Sequence, residues 1–211
     1  GDYASIRGCV ADCAGLAGPV LVDLSTHAIC PGDNRMTAYD ELMGYQHQTE
    51  ALAQVMMRLG WDQETMMPRG AATQRGEEMA ALEGVLHARR TDPKLAGLLG
   101  LATADGPVAE AKLRLIEREH ARATKVPADL AAELARVTSV AQGIWAEARG
   151  SEDVASFLPT LANVVDLRRQ EAAALATGGD LYDALVDDYE PEMSGAQIET
   201  LFDKLRPRLV A

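Results

Sequence analysis

Leu59-Gly60-Trp61-Asp62-Gln63-Glu64-Thr65-Met66-Met67-Pro68 is the stretch of sequence on which the predicted fold depends. Gly60 weakens a helix because glycine loses more conformational freedom on folding than other residues. Pro68 cannot continue a helix because it has no backbone N–H. The stretch therefore predicts that one long amphipathic helix stops near its start and that a second helix begins near Ala71 or Ala72.

The side chains of this connector allow two interpretations. Trp61, Met66 and Met67 give it a large apolar area, and we expect a connector this apolar to be buried. In the first interpretation Trp61 fills a corner between two helices, while Asp62 and Glu64 cap a helix or face water. In the second interpretation Trp61, Asp62 and Glu64 form one wall of a peptide-binding groove.

The composition favours an all-α fold. The chain has 211 residues, only 4% of them aromatic, and a formal net charge of -12. Abundant Ala, Leu and Met favour helices packed through small residues, and no pattern of alternating residues predicts a strand. The negative charge disfavours binding to nucleic acid or to an anionic membrane surface. No apolar run reaches the about 18 residues that a membrane-spanning helix needs.

Residues 1–35 differ from the rest of the chain because they are Gly-rich and lack sustained helical periodicity. We expect a poorly structured preamble here, with the native start at Met36 and a helical body over 36–211. The preamble contains the spacing Cys9-x3-Cys13-x13-His27-x2-Cys30, which is loosely like a small zinc module. No cysteine follows this segment, which fits a reducing cytoplasm.

The body is predicted to be a series of amphipathic helices, since its apolar residues recur at helical spacing. Asp92-Pro93 and Ser194-x-x-Gln197 are helix-start signals, and Pro159 predicts a bend or a restart within the sixth helix. That helix is expected to bury Phe157, Leu158, Leu161, Val164 and Val165. The predicted helices are 37–59, 71–90, a short one from 93, 107–125, one from 127 to about 150, one from about 153 to 178, 181–189 and one from 195.

The sequence contains no complete catalytic motif of a zinc peptidase. Zinc peptidases hold their metal with H-E-x-x-H, and none of the four histidines is followed by Glu. The inverted motif also fails, because Ile116 stands where Glu119-His120 would need His. Glu117-x-x-His120 matches half of a di-iron site, but the second half is missing. The acidic run at 187–190 is expected to be a solvated face or the rim of a groove.

Several short segments taken in order resemble the amino-terminal part of the carboxypeptidase Taq family of metallocarboxypeptidases. The resemblance extends over about residues 39–209, and it departs from the family at Glu192, where Gly is expected. The segments are Trp61-Asp62-Gln63-Glu64-Thr65-x-Met67-Pro68, Arg75 with the run 82–87, Lys125-Val126-Pro127-x-x-Leu130, Ala141-Gln142-x-x-Trp145-x-x-Ala148-Arg149, Phe157-x-Pro159-x-Leu161, Leu167-Arg168, and Tyr182-Asp183-Ala184-Leu185 with Asp188-Tyr189-Glu190-Pro191.

The resemblance implies a multi-helix array that forms the amino-terminal part of a larger, zincin-like peptidase fold with a deep groove. It also implies a zinc ion, a peptide substrate cut at its C terminus, and a homodimer. The family's catalytic and metal-binding residues come later in its order, so none is assigned to a residue here. The region 36–211, truncated before the zinc site and inactive alone, is expected to supply groove wall and lid, with Trp61, Asp62 and Glu64 as candidates.

Two other interpretations remain open. In one, residues 36–211 are a non-catalytic helical adaptor whose groove binds a peptide without cutting it. In the other, a zinc-stabilised preamble tethers the helical body to a partner.

Overall fold

The computed structural model describes residues 36–210, and every regular element among them is a helix. The predicted all-α class is therefore confirmed for this part of the chain. The poorly structured preamble and the zinc-like spacing of Cys9, Cys13, His27 and Cys30 lie outside the described residues, and the native start at Met36 stays a prediction. None of the helices over 36–210 is long and apolar enough to cross a membrane.

Eight α-helices follow one another along the described chain, most of them close to the predicted positions. Thr37 starts the first with a capping box to Asp40, and the box predicted from Ser194 and Gln197 starts the last. The helices are α1 (Ala38–Thr65), α2 (Ala72–Arg90), α3 (Pro93–Leu101), α4 (Pro107–Ala123), α5 (Ala128–Gly150), α6 (Val154–Leu175), α7 (Leu181–Val186) and α8 (Gly195–Leu209), with a single 3-10 turn at Arg69–Ala71.

The helices form an array in which α2 lies between α1 and α5, and α5 lies between α2 and α6. The close approach of α2 to α5 depends on Gly76. A Cβ atom at this position would lie 2.8 Å from Cγ2 of Val140 and 3.3 Å from the carbonyl oxygen of Arg136. Two clusters of buried side chains fill the array: Leu42, Leu95, Leu98 and Ile116 in one, and Leu134, Val137 and Leu167 in the other.

The predicted end of the first helix was wrong. Helix α1 passes through Gly60 and ends at Thr65, three residues before Pro68. A glycine inside a helix costs only about 1 kcal/mol relative to alanine, and contacts from other helices can outweigh that cost. The expected burial was also wrong, since Trp61 is 63% and Met66 70% exposed. Because the helix does not stop, Trp61 lies on its outer face and does not fill a corner.

The expected burial of apolar residues in the sixth helix was partly wrong. Helix α6 is continuous through Pro159, so of the two predicted alternatives the restart does not occur and the bend stays a prediction. Leu158, Leu161 and Val165 are 53%, 40% and 39% exposed, although all three were expected to be buried. Helix α6 packs against α5 and against the short helix α7, and these contacts leave the three side chains partly exposed.

Candidate functional site

Arg75 of α2 organises the corner at which α1 ends. Its guanidinium forms an ion pair with Asp62, with 2.5 Å between Nη2 and Oδ2, and a second with Glu78 at 3.0 Å. Its Nη1 also donates a hydrogen bond to the carbonyl oxygen of Leu59. The hydrogen bond that Arg75 donates to Asp62 is the main cause that raises the pKa of Arg75, so the guanidinium stays charged. Arg75 is buried, and it holds the final turns of α1 against α2.

Two pairs of side chains tie the same end of α1 to α5. The amide of Gln63 bonds Ser139 twice: Nε2 donates to the backbone carbonyl at 2.9 Å, and Oε1 accepts from the hydroxyl at 2.7 Å. One turn along α5, Nε2 of Gln142 donates to Oε2 of Glu64 at 2.6 Å. The end of α1 is therefore fixed to both α2 and α5.

Gln63, Glu64 and Gln142 from the attachments to α5 line a cavity of about 520 Å³ between the end of α1, the 3-10 turn and α5. We call it the α1–α5 cavity. Ligand sites commonly have volumes of about 300–1,000 Å³ and combine apolar walls with a few polar groups. Its charged lining residues are Glu64, Arg69 and Glu147, and the remainder are Gln63, Met67, Ala72, Thr73, Val140, Gln142, Gly143, Ile144 and Ala146.

The structure separates the three candidate residues. Glu64 lines the α1–α5 cavity. Asp62 does not line it and is held by Arg75. Trp61 is exposed, three residues before Glu64 on the same helix. Residues three apart on a helix are neighbours on its surface, so Trp61 and Glu64 share a face of α1 from which Asp62 is turned away.

Arg69 and Glu147 also line the cavity, although the sequence did not single them out. Glu147 comes from the last turn of a different helix, α5, and only the packing of α2 against α5 brings it near the end of α1. No spacing within the sequence could have paired it with Glu64. Arg69 belongs to the 3-10 turn, an element that was not predicted from the sequence.

A second cavity, of about 440 Å³, is lined by charged residues that include Glu83, Arg90, Glu119 and Arg122. Burial is the main cause that raises the pKa of Glu83. Arg90 lies 3.5 Å from the carboxylate of Glu83 and 2.9 Å from that of Glu119. The charged groups of this cavity are therefore largely occupied with one another.

The described histidines do not fit the zinc site that the family resemblance implies. Nε2 of His87 donates to the carbonyl oxygen of Val126, and Nδ1 of His120 donates to that of Arg90, both at 2.7 Å. Within residues 36–210, no three His, Cys, Asp or Glu side chains are grouped so that they could hold a metal ion.

The acidic run that contains Asp187 was expected to be a solvated face or the rim of a groove, but Asp187 itself joins α4 to the segment that follows α7. Its Oδ2 lies 2.8 Å from both Arg118 and Arg122, and its Oδ1 accepts a bond from the backbone N–H of Glu192 at 2.9 Å. The bond from Glu192 and the bond from Arg118 lower the pKa of Asp187. This carboxylate is a structural anchor and is only 28% exposed.

Comparisons with known proteins agree on one family. The sequence profile of the carboxypeptidase Taq (M32) metallopeptidases matches residues 41–211. Thermostable carboxypeptidase 1 of Thermus thermophilus is 37% identical over 187 residues, which are 82% of this chain and 37% of that protein. Metallocarboxypeptidase 1 of Trypanosoma cruzi is 30% identical with a TM-score of 0.65, over 82% of this chain and 36% of that chain.

The M32 carboxypeptidase of Deinococcus radiodurans is 28% identical, also with a TM-score of 0.65, over 82% of this chain and 35% of that chain. The chain spans about a third of the length of the curated relatives that it matches.

Proposed function

The chain belongs to the carboxypeptidase Taq (M32) metallopeptidase family, and from this membership we propose that residues 36–211 are the amino-terminal part of a zinc-dependent metallocarboxypeptidase. The whole enzyme would release C-terminal residues from peptides. The segment described here would supply groove wall and lid, while the H-E-x-x-H residues would come from elsewhere in the protein. We also propose that the whole protein is cytoplasmic and homodimeric.

The observation that carries the proposal is the family match over 41–211 in a chain that covers only about a third of its relatives. The sequence contains no H-E-x-x-H, and His87 and His120 donate to backbone carbonyls. These facts fit a peptidase segment that acts on substrate without holding the metal.

The exposed apolar faces of α6 and α8 support a larger fold. Single exposed apolar residues are ordinary, but contiguous ones indicate a surface that another element covers. On α8 the exposed fractions of Leu201, Phe202 and Leu205 are 55%, 55% and 41%. Together with Leu158, Leu161 and Val165 of α6, these residues would pack against the remainder of the peptidase.

The α1–α5 cavity and the adjoining face of α1 are the part of the segment that best suits a peptide groove. Glu64 lines the cavity, and Trp61 offers an exposed apolar surface on the same face. We propose that these two residues contact substrate. Asp62 would act indirectly, because its bond to Arg75 fixes the helix turn that carries both of them.

A carboxypeptidase assay on the 211-residue chain, with and without added zinc, tests this proposal. We expect no release of C-terminal residues under either condition. If the chain does release C-terminal residues and a chelator abolishes that release, the catalytic metal is bound by these residues and the proposal is overturned.

One observation favours a second candidate function, a non-catalytic peptide-binding module. The cavity is formed entirely within the described residues and does not depend on a metal. Such a module would bind peptide with the same residues, but joining it to the catalytic part of a relative would not yield hydrolysis.

A further inference from the structure

Negatively charged side chains outnumber positively charged ones around the α1–α5 cavity. Two carboxylates line it, Glu64 from α1 and Glu147 from α5, against the single guanidinium of Arg69. One oxygen of Glu64 accepts the bond from Gln142, which leaves Oε1 for another donor. The chain as a whole carries a net charge of -12, so the field outside the cavity also attracts cations.

The remaining wall is suited to an aliphatic chain. Met67, Val140 and Ile144 line the cavity between its charged residues. At Gly143 of the same wall α5 lies close to α2, since a Cβ atom there would be 3.8 Å from Cβ of Ala72. Lysine and arginine side chains have this same division, with an apolar stem that packs on hydrophobic surface and a charged head that seeks polar partners.

Resting on the function proposed above, we infer that the α1–α5 cavity is a subsite for a lysine or arginine side chain of the peptide substrate. The aliphatic stem lies against Met67, Val140 and Ile144. The cationic head binds the carboxylates of Glu64 and Glu147. Arg69 opposes this binding, because its charge has the same sign as that of the ligand.

Three blocked pentapeptides that differ at one position test the inference. Acetyl-Ala-Ala-Lys-Ala-Ala-amide carries the cation, and the analogues with norleucine and glutamate remove or invert its charge. Affinities for the 211-residue chain are measured by calorimetry, and the side-chain amide NMR signal of Gln142 reports whether a peptide enters the cavity. Because both ends are blocked, only the central side chain differs.

We expect the lysine peptide to shift the Gln142 signal and to bind about 4- to 20-fold more tightly than the norleucine peptide. E64Q and E147Q should each weaken lysine-peptide binding about two- to fivefold, the range for partly exposed ion pairs. R69Q should strengthen it by a similar factor. E199Q, on the exposed side of α8, is the matched control and should change nothing.

If the lysine and norleucine peptides both shift the Gln142 signal and bind with equal affinity, the inference is overturned, although the cavity would still be a peptide groove. Binding of the lysine peptide that leaves the Gln142 signal unchanged would also overturn the inference. Tighter binding of the glutamate peptide, or no binding of any peptide, would overturn it as well. The proposed function is tested separately, because its assay measures peptide hydrolysis and not these binding affinities.

Discussion

Arg75 of α2 and Asp62 of α1 form an ion pair of 2.5 Å, two residues after Gly60 in α1. The same guanidinium binds the carbonyl oxygen of Leu59, directly before Gly60. The two contacts lie on either side of the weak point of the helix. They explain why α1 continues to Thr65, and they fix the turn that carries Trp61 and Glu64.

Replacing Arg75 with methionine should destabilise the fold strongly. The change removes bonds to Asp62, Glu78 and a backbone carbonyl from a buried position. We expect the free energy of unfolding in urea to fall by about 2–4 kcal/mol. Arg206→Met, which breaks a highly exposed pair with Asp203, is the control and should cost less than about 1 kcal/mol. Equal losses in the two variants would refute this role of Arg75.

Glycine-to-alanine changes at two positions of α2 should have opposite effects. At Gly76 the new methyl group would lie 2.8 Å from Val140 and 3.3 Å from a backbone carbonyl. Such overpacking costs about 1–3 kcal/mol. At Gly84 nothing lies within 4 Å, so alanine should stabilise the helix by about 0.5–1 kcal/mol. Thermal unfolding of the two variants checks the prediction, and a stabilising Gly76→Ala would show that α2 and α5 are not in close contact there.

Asp187→Asn should weaken the attachment of the α7–α8 segment to α4 in a pH-dependent way. The pKa of Asp187 is lowered from its ordinary 3.8, so its stabilising effect is present above that pH and is lost as the pH falls through the lowered value. At pH 7 we expect a loss of about 1–3 kcal/mol in the free energy of unfolding. The difference between wild type and variant should shrink below pH 3.8; a difference that stays constant with pH would argue against the ion pairs.

Glu83→Gln should show the opposite pH dependence. Burial raises the pKa of Glu83 above its ordinary 4.5, so its contribution to stability is present below that pH and is lost as the pH rises through the raised value. Relative to the variant, the wild-type protein should therefore become less stable between pH 4 and pH 7. Glu133→Gln is the control. A hydrogen bond from Arg136 lowers the pKa of Glu133, so the stability of the wild-type protein relative to this variant should rise with pH instead of falling. Parallel slopes in urea titrations would contradict both assignments.

The sequence predicted the helix starts better than it predicted the helix ends. The signals at Asp92 and Ser194 are local, because a side chain caps a backbone N–H two or three residues away, and both are confirmed. The passage of α1 through Gly60 depends on Arg75, a residue on another helix. The same contrast holds for the candidate site. Glu64 could be proposed from the residues around it in the sequence, whereas Glu147 reaches the cavity only because α5 packs against the other helices.

The most direct test of the account is a chimera in which residues 36–211 replace the matching segment of the Thermus thermophilus carboxypeptidase. The account predicts that the chimera, supplied with zinc, releases C-terminal residues from peptides in a chelator-sensitive reaction, and that the 211-residue chain alone does not. A folded chimera that binds peptide without releasing any residue would contradict it and would favour the non-catalytic binding module.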